Sequence, residues 1–345
     1  MAYGVYYHLN LFSNFTYFLD DPVHGDQIEQ EDQRFVFGGE ANQMWSHNLF
    51  GRTSQTTVGV QIRNDDIHNG LFHTEQRARL STTHLDNTTE TSLNPFIENQ
   101  THWTDWFRTI VGLRGDIYWI DVTNLAGGNS GSATASVVSP KVNVIFGPWA
   151  KTEFYIDYGQ GFHSNDARGV VSNISPATAL PHSTGAEVGI RTTIIPGLRS
   201  ELSLWTLKLQ SELVWDGDAG DNEPSGPTRR YGVEFANWYT PVSWLTIDGD
   251  FAWPHARFTD PEPDGPYVPE ALVTTFDAGV ALHDLPGDFE RWSAGLRGRY
   301  FGPRPITQDG TIKSKSTTLV YADLGYKIKR ALVDRAEDIQ PAQFS

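Results

Sequence analysis

Eleven histidines and 42 acidic residues give this 345-residue chain the raw material for metal or acid–base chemistry, but their spacing builds neither. No His-Glu-x-x-His pair occurs, and His68 and His73 stand apart in a segment with little periodicity, so they read as ordinary polar positions. Asp216, Asp218 and Asp221 alternate with glycine as in a calcium loop. The bidentate glutamate that would close such a loop is missing, which favours a solvated acidic loop. Gly159-Gln160-Gly161 precedes no helix and is not a nucleotide fingerprint. A Gly-x-Ser-x-Gly nucleophile elbow is also absent. The residues therefore assign no catalytic group, no metal site and no cofactor, and the chain is expected not to be an enzyme.

Other classes are bounded by composition. A net charge of −16 argues against a nucleic-acid partner, which requires a basic face. With no cysteine, neither disulfides nor thiolate metal sites are available. No window approaches the ~20 continuous apolar residues of a spanning helix. That does not exclude a membrane, because a barrel with a wet lumen shows only half of its strand residues to lipid.

The elements are strands of period two. Around the long acidic loop, Tyr231, Val233 and Phe235 share one parity, and Leu245, Ile247, Gly249, Phe251 and Trp253 repeat it after a proline turn, against Thr246, Asp248 and Asp250. The first run is similar: Tyr3, Val5, Tyr7, Leu9, Leu11, Phe15, Tyr17 and Leu19 share a parity, and Asp20-Asp21-Pro22 ends the strand. Residues 64–105 are harder to read, and the Thr/Asn-rich piece Thr82–Asn94 suggests a loop or strand ends near water. From Gly147 on, short proline turns (Pro148, Pro196, Pro241, Pro286) alternate with long polar loops. A transmembrane barrel sorts its connections in this way, with short periplasmic turns and long outer loops. The second parity is charged rather than merely polar (Arg114, Asp116, Glu153, Asp157, Glu234, Asp277, Arg297), as a wet lumen wall would be. Aromatics near strand ends, among them Trp119, Trp238, Trp253 and Trp292, suit interfacial girdles.

Several stretches resemble one family. Gly112-Leu113-Arg114-Gly115-Asp116 resembles a Gly-Leu-Arg-Tyr-Asp strand of TonB-dependent outer-membrane receptors. Ser139-Pro140-Lys141-Val142 resembles the start of their next strand, and the run from Glu153 to Phe162 the one after it. Glu212 to Trp215, the loop, and Arg230 to Glu234 match a strand–loop–strand common there. The likeness spans residues 107–329, and the first hundred residues share only the pattern. It implies an all-β fold, an antiparallel transmembrane β-barrel, here incomplete, with roughly fifteen strand-like runs against about 22 in the family. Residues 1–330 would form this barrel region, and 331–345 a divergent tail, helical or frayed. Signal peptide, energy-coupling box, plug domain and final strands are not recognised, so the chain reads as an internal piece of a longer receptor.

The resemblance implies energised uptake of a scarce nutrient, most often a ferric siderophore, across the outer membrane of a Gram-negative bacterium. The TonB complex would be a partner through the plug, and outer-membrane lipid would surround the barrel. Ligand recognition would come from the outer loops and upper lumen. The candidates are His163, Asn165 and Arg168 in one loop, Trp215, Asp216 and Arg229 at a second, and His255 and Arg257 near a third. Two other readings compete: a passive porin-like channel with an inward-folded loop as constriction, and a soluble all-β carbohydrate-binding module using Trp and Tyr.

Overall fold

The structure is a computed structural model, and it describes residues 1–173, 176–211, 213–216, 221–224, 226–260 and 265–328. Fourteen strands form one antiparallel sheet in which each strand pairs with its neighbours in the chain. They are β1 (Ala2–Ser13), β2 (Ile28–Leu49), β3 (Arg52–Glu75), β4 (Ala78–Thr104), β5 (Phe107–Asn124), β6 (Gly131–Trp149) and β7 (Thr152–Phe162), followed by β8 (His182–Thr192) and β9 (Leu198–Leu209). A small hairpin, β10 (Leu213–Asp216) with β11 (Asp221–Pro224), is inserted before the sheet resumes. It continues with β12 (Thr228–Val242), β13 (Leu245–Phe258), β14 (Thr275–Leu282), β15 (Trp292–Phe301) and β16 (Thr317–Tyr326). β1 and β16 are its edges and are not paired with each other among the described residues, so the barrel wall is open.

The two rims differ in their connections. On one they are mostly tight, 50–51, 105–106, 150–151, 193–197 and 243–244, with a longer one at 283–291. The other carries 14–27, 125–130, 163–181, 210–227, 259–274 and 302–316. The tight turn 76–77 also lies on this second rim, at the tip of the longest pair, β3 and β4. Three two-residue turns place both residues at positive φ: Phe50-Gly51, Gln76-Arg77 and Ala150-Lys151. That backbone matches the right-handed twist of the flanking strands, which is why such turns close hairpins tightly.

Register gives the sheet two chemically distinct faces. Ile156, Val188, Leu204, Val233 and Trp253 lie side by side on β7, β8, β9, β12 and β13. One step along the strands lie Asp157, Glu187 and Trp205, on the opposite face. The oily face is bare: Ile156, Leu204, Val188, Phe235 and Leu296 are all exposed. An uncovered band of this kind across a whole sheet exceeds what a monomer leaves in water. On β12 it runs between Tyr231 and Tyr239, broken only at the Asn237 row with Ser200 and Gly249, about 26 Å along the strand at ~3.3 Å per residue.

Three sequence expectations need correction at the start of the chain. Residues 82–94 are not a loop; they lie inside β4, paired to β3 on one side and from Asp86 onward to β5 on the other. β1 ends at Ser13, not at Asp20. Phe15, Tyr17 and Leu19 belong to a loop tied by Asp26, whose carboxylate accepts the Leu19 and Asp21 backbone N–H groups at 2.7 Å each. Those bonds win over the opposing effect of burial and hold the Asp26 pKa at about 2. Finally, the regular apolar parity of β1 lies on the charged face. Tyr3, Val5 and Tyr7 pair with Gly38, Val36 and Arg34, and the Arg34 guanidinium stands 5.9 Å from the Tyr7 ring centre. Register with β2 decides the face here, because its oily parity is set by Phe35 and Phe37.

Candidate functional site

The charged face is cross-linked from strand to strand. Arg114 donates to Asp116 at 2.8 Å and to Gln61 at 2.7 Å, while Gln61 donates to Glu40 at 2.8 Å. Asn94 meets the same Asp116 oxygen at 2.7 Å, so one network spans β2 to β5. Glu153 receives Arg108 (2.7 and 3.1 Å) and Arg191 (2.7 Å), joining β5, β7 and β8. The Tyr155 hydroxyl contacts Glu187 at 2.8 Å and Glu201 at 2.9 Å. Gly189 makes room for this ring, since a Cβ there would overlap it. Farther along, Arg297 pairs with Asp248 at 2.7 Å and with Asp277, which also receives Arg299 at 2.6 Å. In the Glu153–Arg191, Arg297–Asp277 and Arg299–Asp277 pairs opposite charges meet across neighbouring strands, the arrangement that makes cross-strand pairs stabilising.

Some groups on this face remain unused. Asp157 Oδ1 and Trp205 Nε1 are buried without a hydrogen-bond partner. With Lys141, Asn143, Glu187 and Glu234 they help line a cavity of ≈ 530 Å³. Buried polar atoms are normally paired, so these mark places where a further polar group belongs.

Above the wall, the loop 163–181 folds back onto the charged face. Its short helix α1 (Ala167–Val170) packs with Val171 against Ile120 and Val122 of β5. Asp166 caps α1 by accepting the Arg168 N–H at 2.9 Å, and it also binds the Arg168 guanidinium at 2.6 and 3.0 Å. Burial alone would raise the Asp166 carboxyl, but hydrogen bonding and charge from Arg168 hold it below its usual range. Arg168 reaches across to the His84 ring of β4 at 3.0 Å. Asn165 is only 4% exposed and donates to the Thr178 carbonyl at 2.7 Å. Its Oδ1 and the Nε2 of His163 are buried without partners.

The eight candidate residues thus fall into three groups. His163, Asn165 and Arg168 stand together on the folded-back loop. Trp215 and Asp216 lie in β10, opposite Asn222 and Asp221 of β11, and their side chains fall outside the described residues. Arg229, His255 and Arg257 occupy the oily-face parity at the long-loop rim. His255 stacks on Tyr231 (5.5 Å between centroids) and meets Trp253 edge-on, while Arg257 lies 3.7 Å over the Tyr267 ring. Sequence reasoning missed His84, whose segment gave little periodicity, and the pairing of Tyr155 with two glutamates, which only register reveals. Among the described residues no group of three or more His, Asp or Glu is placed to hold a metal.

One oily face, one charged face, tight turns on one rim and long loops on the other define the wall of a transmembrane β-barrel. The chain belongs to the family of TonB dependent receptor-like beta-barrels, which it matches over residues 2–338. Proteins of this family are outer-membrane transport receptors of Gram-negative bacteria. Its fold resembles the ferric-catecholate import receptor Fiu from E. coli K12, with a TM-score of 0.70 at 12% identity over 94% of this chain and 54% of that one. It also resembles the ferric citrate transporter FecA (0.73, 12%, 96% and 51%). The copper transporter OprC gives similar figures (0.71, 14%, 95% and 54%). The chain therefore spans about half the length of the solved structures it matches, and at these identities the likeness concerns fold alone.

Proposed function

We propose that this chain is the receptor wall of an energised importer, with a ferric siderophore as the cargo class and the bacterial outer membrane as its place. The observation carrying this reading is the loop 163–181, which presents His163 and Asn165 with unpartnered buried polar atoms over the charged face. Arg168, paired with Asp166, ties this loop to His84 of β4 and so holds those atoms in place. In this reading the TonB complex acts through a plug domain, and the plug meets the unused wall groups, Asp157 and Trp205 among them. Residues 1–330 form the barrel region, and the tail 331–345 lies outside the described residues.

The test is uptake of radiolabelled ferric siderophores by cells carrying the complete receptor as their one route. The expected result is saturable uptake that disappears when TonB is deleted. Asn165→Ala should weaken ligand binding on the order of tenfold, as loss of one hydrogen bond does. Uptake that rises linearly with concentration and ignores TonB would instead support a passive channel. One observation favours that second reading: the folded-back loop would also serve as a pore constriction. The soluble carbohydrate-binding alternative has no comparable support, because family membership and the bare oily face both point to lipid.

A further inference from the structure

The loop 163–181 closes largely on itself. The Asn165 N–H donates to the Ala179 carbonyl and the Ala177 N–H to the Gly169 carbonyl, each at 3.0 Å. It meets the wall through the small apolar cluster on Ile120 and Val122 and through Arg168 on His84. Asn173 also donates to Asn129 of the neighbouring loop at 3.2 Å. Of these contacts, the one between Arg168 and His84 depends on a proton.

His84 lies between an acid and a guanidinium. Its Nδ1 is 3.4 Å from Asp86 Oδ2, and Arg168 Nη1 stands 3.0 Å from its Nε2 and 3.1 Å from its Nδ1. An arginine nitrogen only donates, so the imidazole that receives it must offer a lone pair and is neutral while the contact holds. Asp86 is 1% exposed. Asn124 donates to its Oδ1 at 2.6 Å, while its Oδ2 is buried without a hydrogen-bond partner. A proton on His84 reverses these preferences. Both ring nitrogens then donate, so Oδ2 gains a charged donor and Arg168 faces donor against donor and cation against cation. Arg168 can leave, because its counter-ion Asp166 sits on the same loop and travels with it. Among the described residues, the charged groups facing His84 are Asp86 on its own strand and Asp166 and Arg168 on the loop. Two carboxylates and one guanidinium sum to −1, which a proton on His84 cancels. At this level β3 presents Asn69 and Leu71, and β5 presents Asn124, none of which titrates.

We propose that His84 and Arg168 form a proton-operated latch, which holds loop 163–181 over the charged face at neutral pH and releases it on acidification. Histidine is the side chain that ordinarily changes charge between about pH 5 and 8. The held loop leaves no place for the added proton and the released loop does, so the hold is complete above the titration and is lost as pH falls through it. This rests on the reading of the loop as part of the cargo site and adds the regulation of that site. His163 and Asn165 move with the loop, so cargo is retained at neutral pH and let go in acid.

The test is amide hydrogen exchange of the complete receptor in detergent at about pH 7.5 and about pH 5.5, corrected for intrinsic rates. In wild type the amides of 163–173 should exchange on the order of tenfold faster at the lower pH, with β4 and β5 unchanged, since one proton shifts an equilibrium by at most about tenfold per pH unit. His84→Gln has no proton to gain and should lose the acid response. Arg168→Ala should exchange fast at both pH values. His163 also lies on the loop, and His163→Gln should keep the response. An acid response that survives His84→Gln, or one abolished by His163→Gln, would overturn the latch. Equal protection of the wild-type loop at both pH values would overturn it too, as would an acid response shared by β4 and β5, which is general loosening. No cargo is present in this measurement. Failed uptake therefore strikes the receptor reading alone, and a pH-independent loop strikes the latch alone.

Discussion

An arginine in place of Leu202 lowers the stability of the bilayer-inserted protein by about 2–4 kcal/mol, the cost of that side chain near the mid-plane of a transmembrane barrel. Leu202 lies in the middle of the oily band, with Ile190 and Phe235 on either side. It is 40% exposed in the protein alone, so lipid is what would cover it. Four residues toward the long-loop rim, Thr206→Arg should cost only about 0–1 kcal/mol, because a cation there snorkels into the headgroups. Lys208 is already a cation one step further. Urea titration of the vesicle-inserted variants, followed by tryptophan fluorescence, measures both. Equal effects at 202 and 206 would remove the depth dependence on which the membrane assignment stands.

Glu153→Ala should be nearly as damaging, by a different cause. Glu153 separates two arginines, bonding Arg108 and Arg191 at 2.7 Å each. Its side chain and that of Arg108 are both 19% exposed. Without the carboxylate, two guanidinium groups face one another with no counter-charge, and removing one partner of a buried pair costs about 3–5 kcal/mol. Access of water to the wall reduces this, so a loss of about 3 kcal/mol is expected. Adding Arg191→Leu should recover part of it, because one uncompensated charge then disappears. A double variant no more stable than the single would mean that Arg191 is well solvated without Glu153. The same urea titration reads this out.

How much was legible in the sequence follows from which physical signals are local. Alternation is local, so β5 to β9 and β12 to β16 were readable from pairs such as Phe154/Glu153 and Leu296/Arg297. Sorting of turns was readable wherever proline marked the short rim. The failures had non-local causes. Gln76-Arg77 makes a tight turn with positive φ at both positions, yet neither residue type prefers that backbone, so nothing marked the β3–β4 hairpin. β4 between 82 and 94 is rich in Thr and Asn because its far half projects beyond the oily band, and a strand with two polar faces has no parity to read. The apolar parity of β1 pointed to the wrong face, because at an edge the partner's register decides orientation. For the site, the loop 163–181 could be recognised as polar and long. That it turns inward depends on Ile120 and Val122, apolar residues on the same parity of β5 as Arg108, Arg114 and Asp116.

The central claim is that one face of this sheet meets lipid and the other does not. The chain has no cysteine, so single cysteines introduced along β9 from Glu201 to Thr206 can be labelled without background. In vesicle-inserted protein, a fluorophore at each position is quenched by a nitroxide carried on lipid acyl chains. The account predicts quenching with period two: strong at 202, 204 and 206, weak at 201, 203 and 205. Uniform quenching along the strand, or an alternation seen only with a water-soluble quencher, would contradict it.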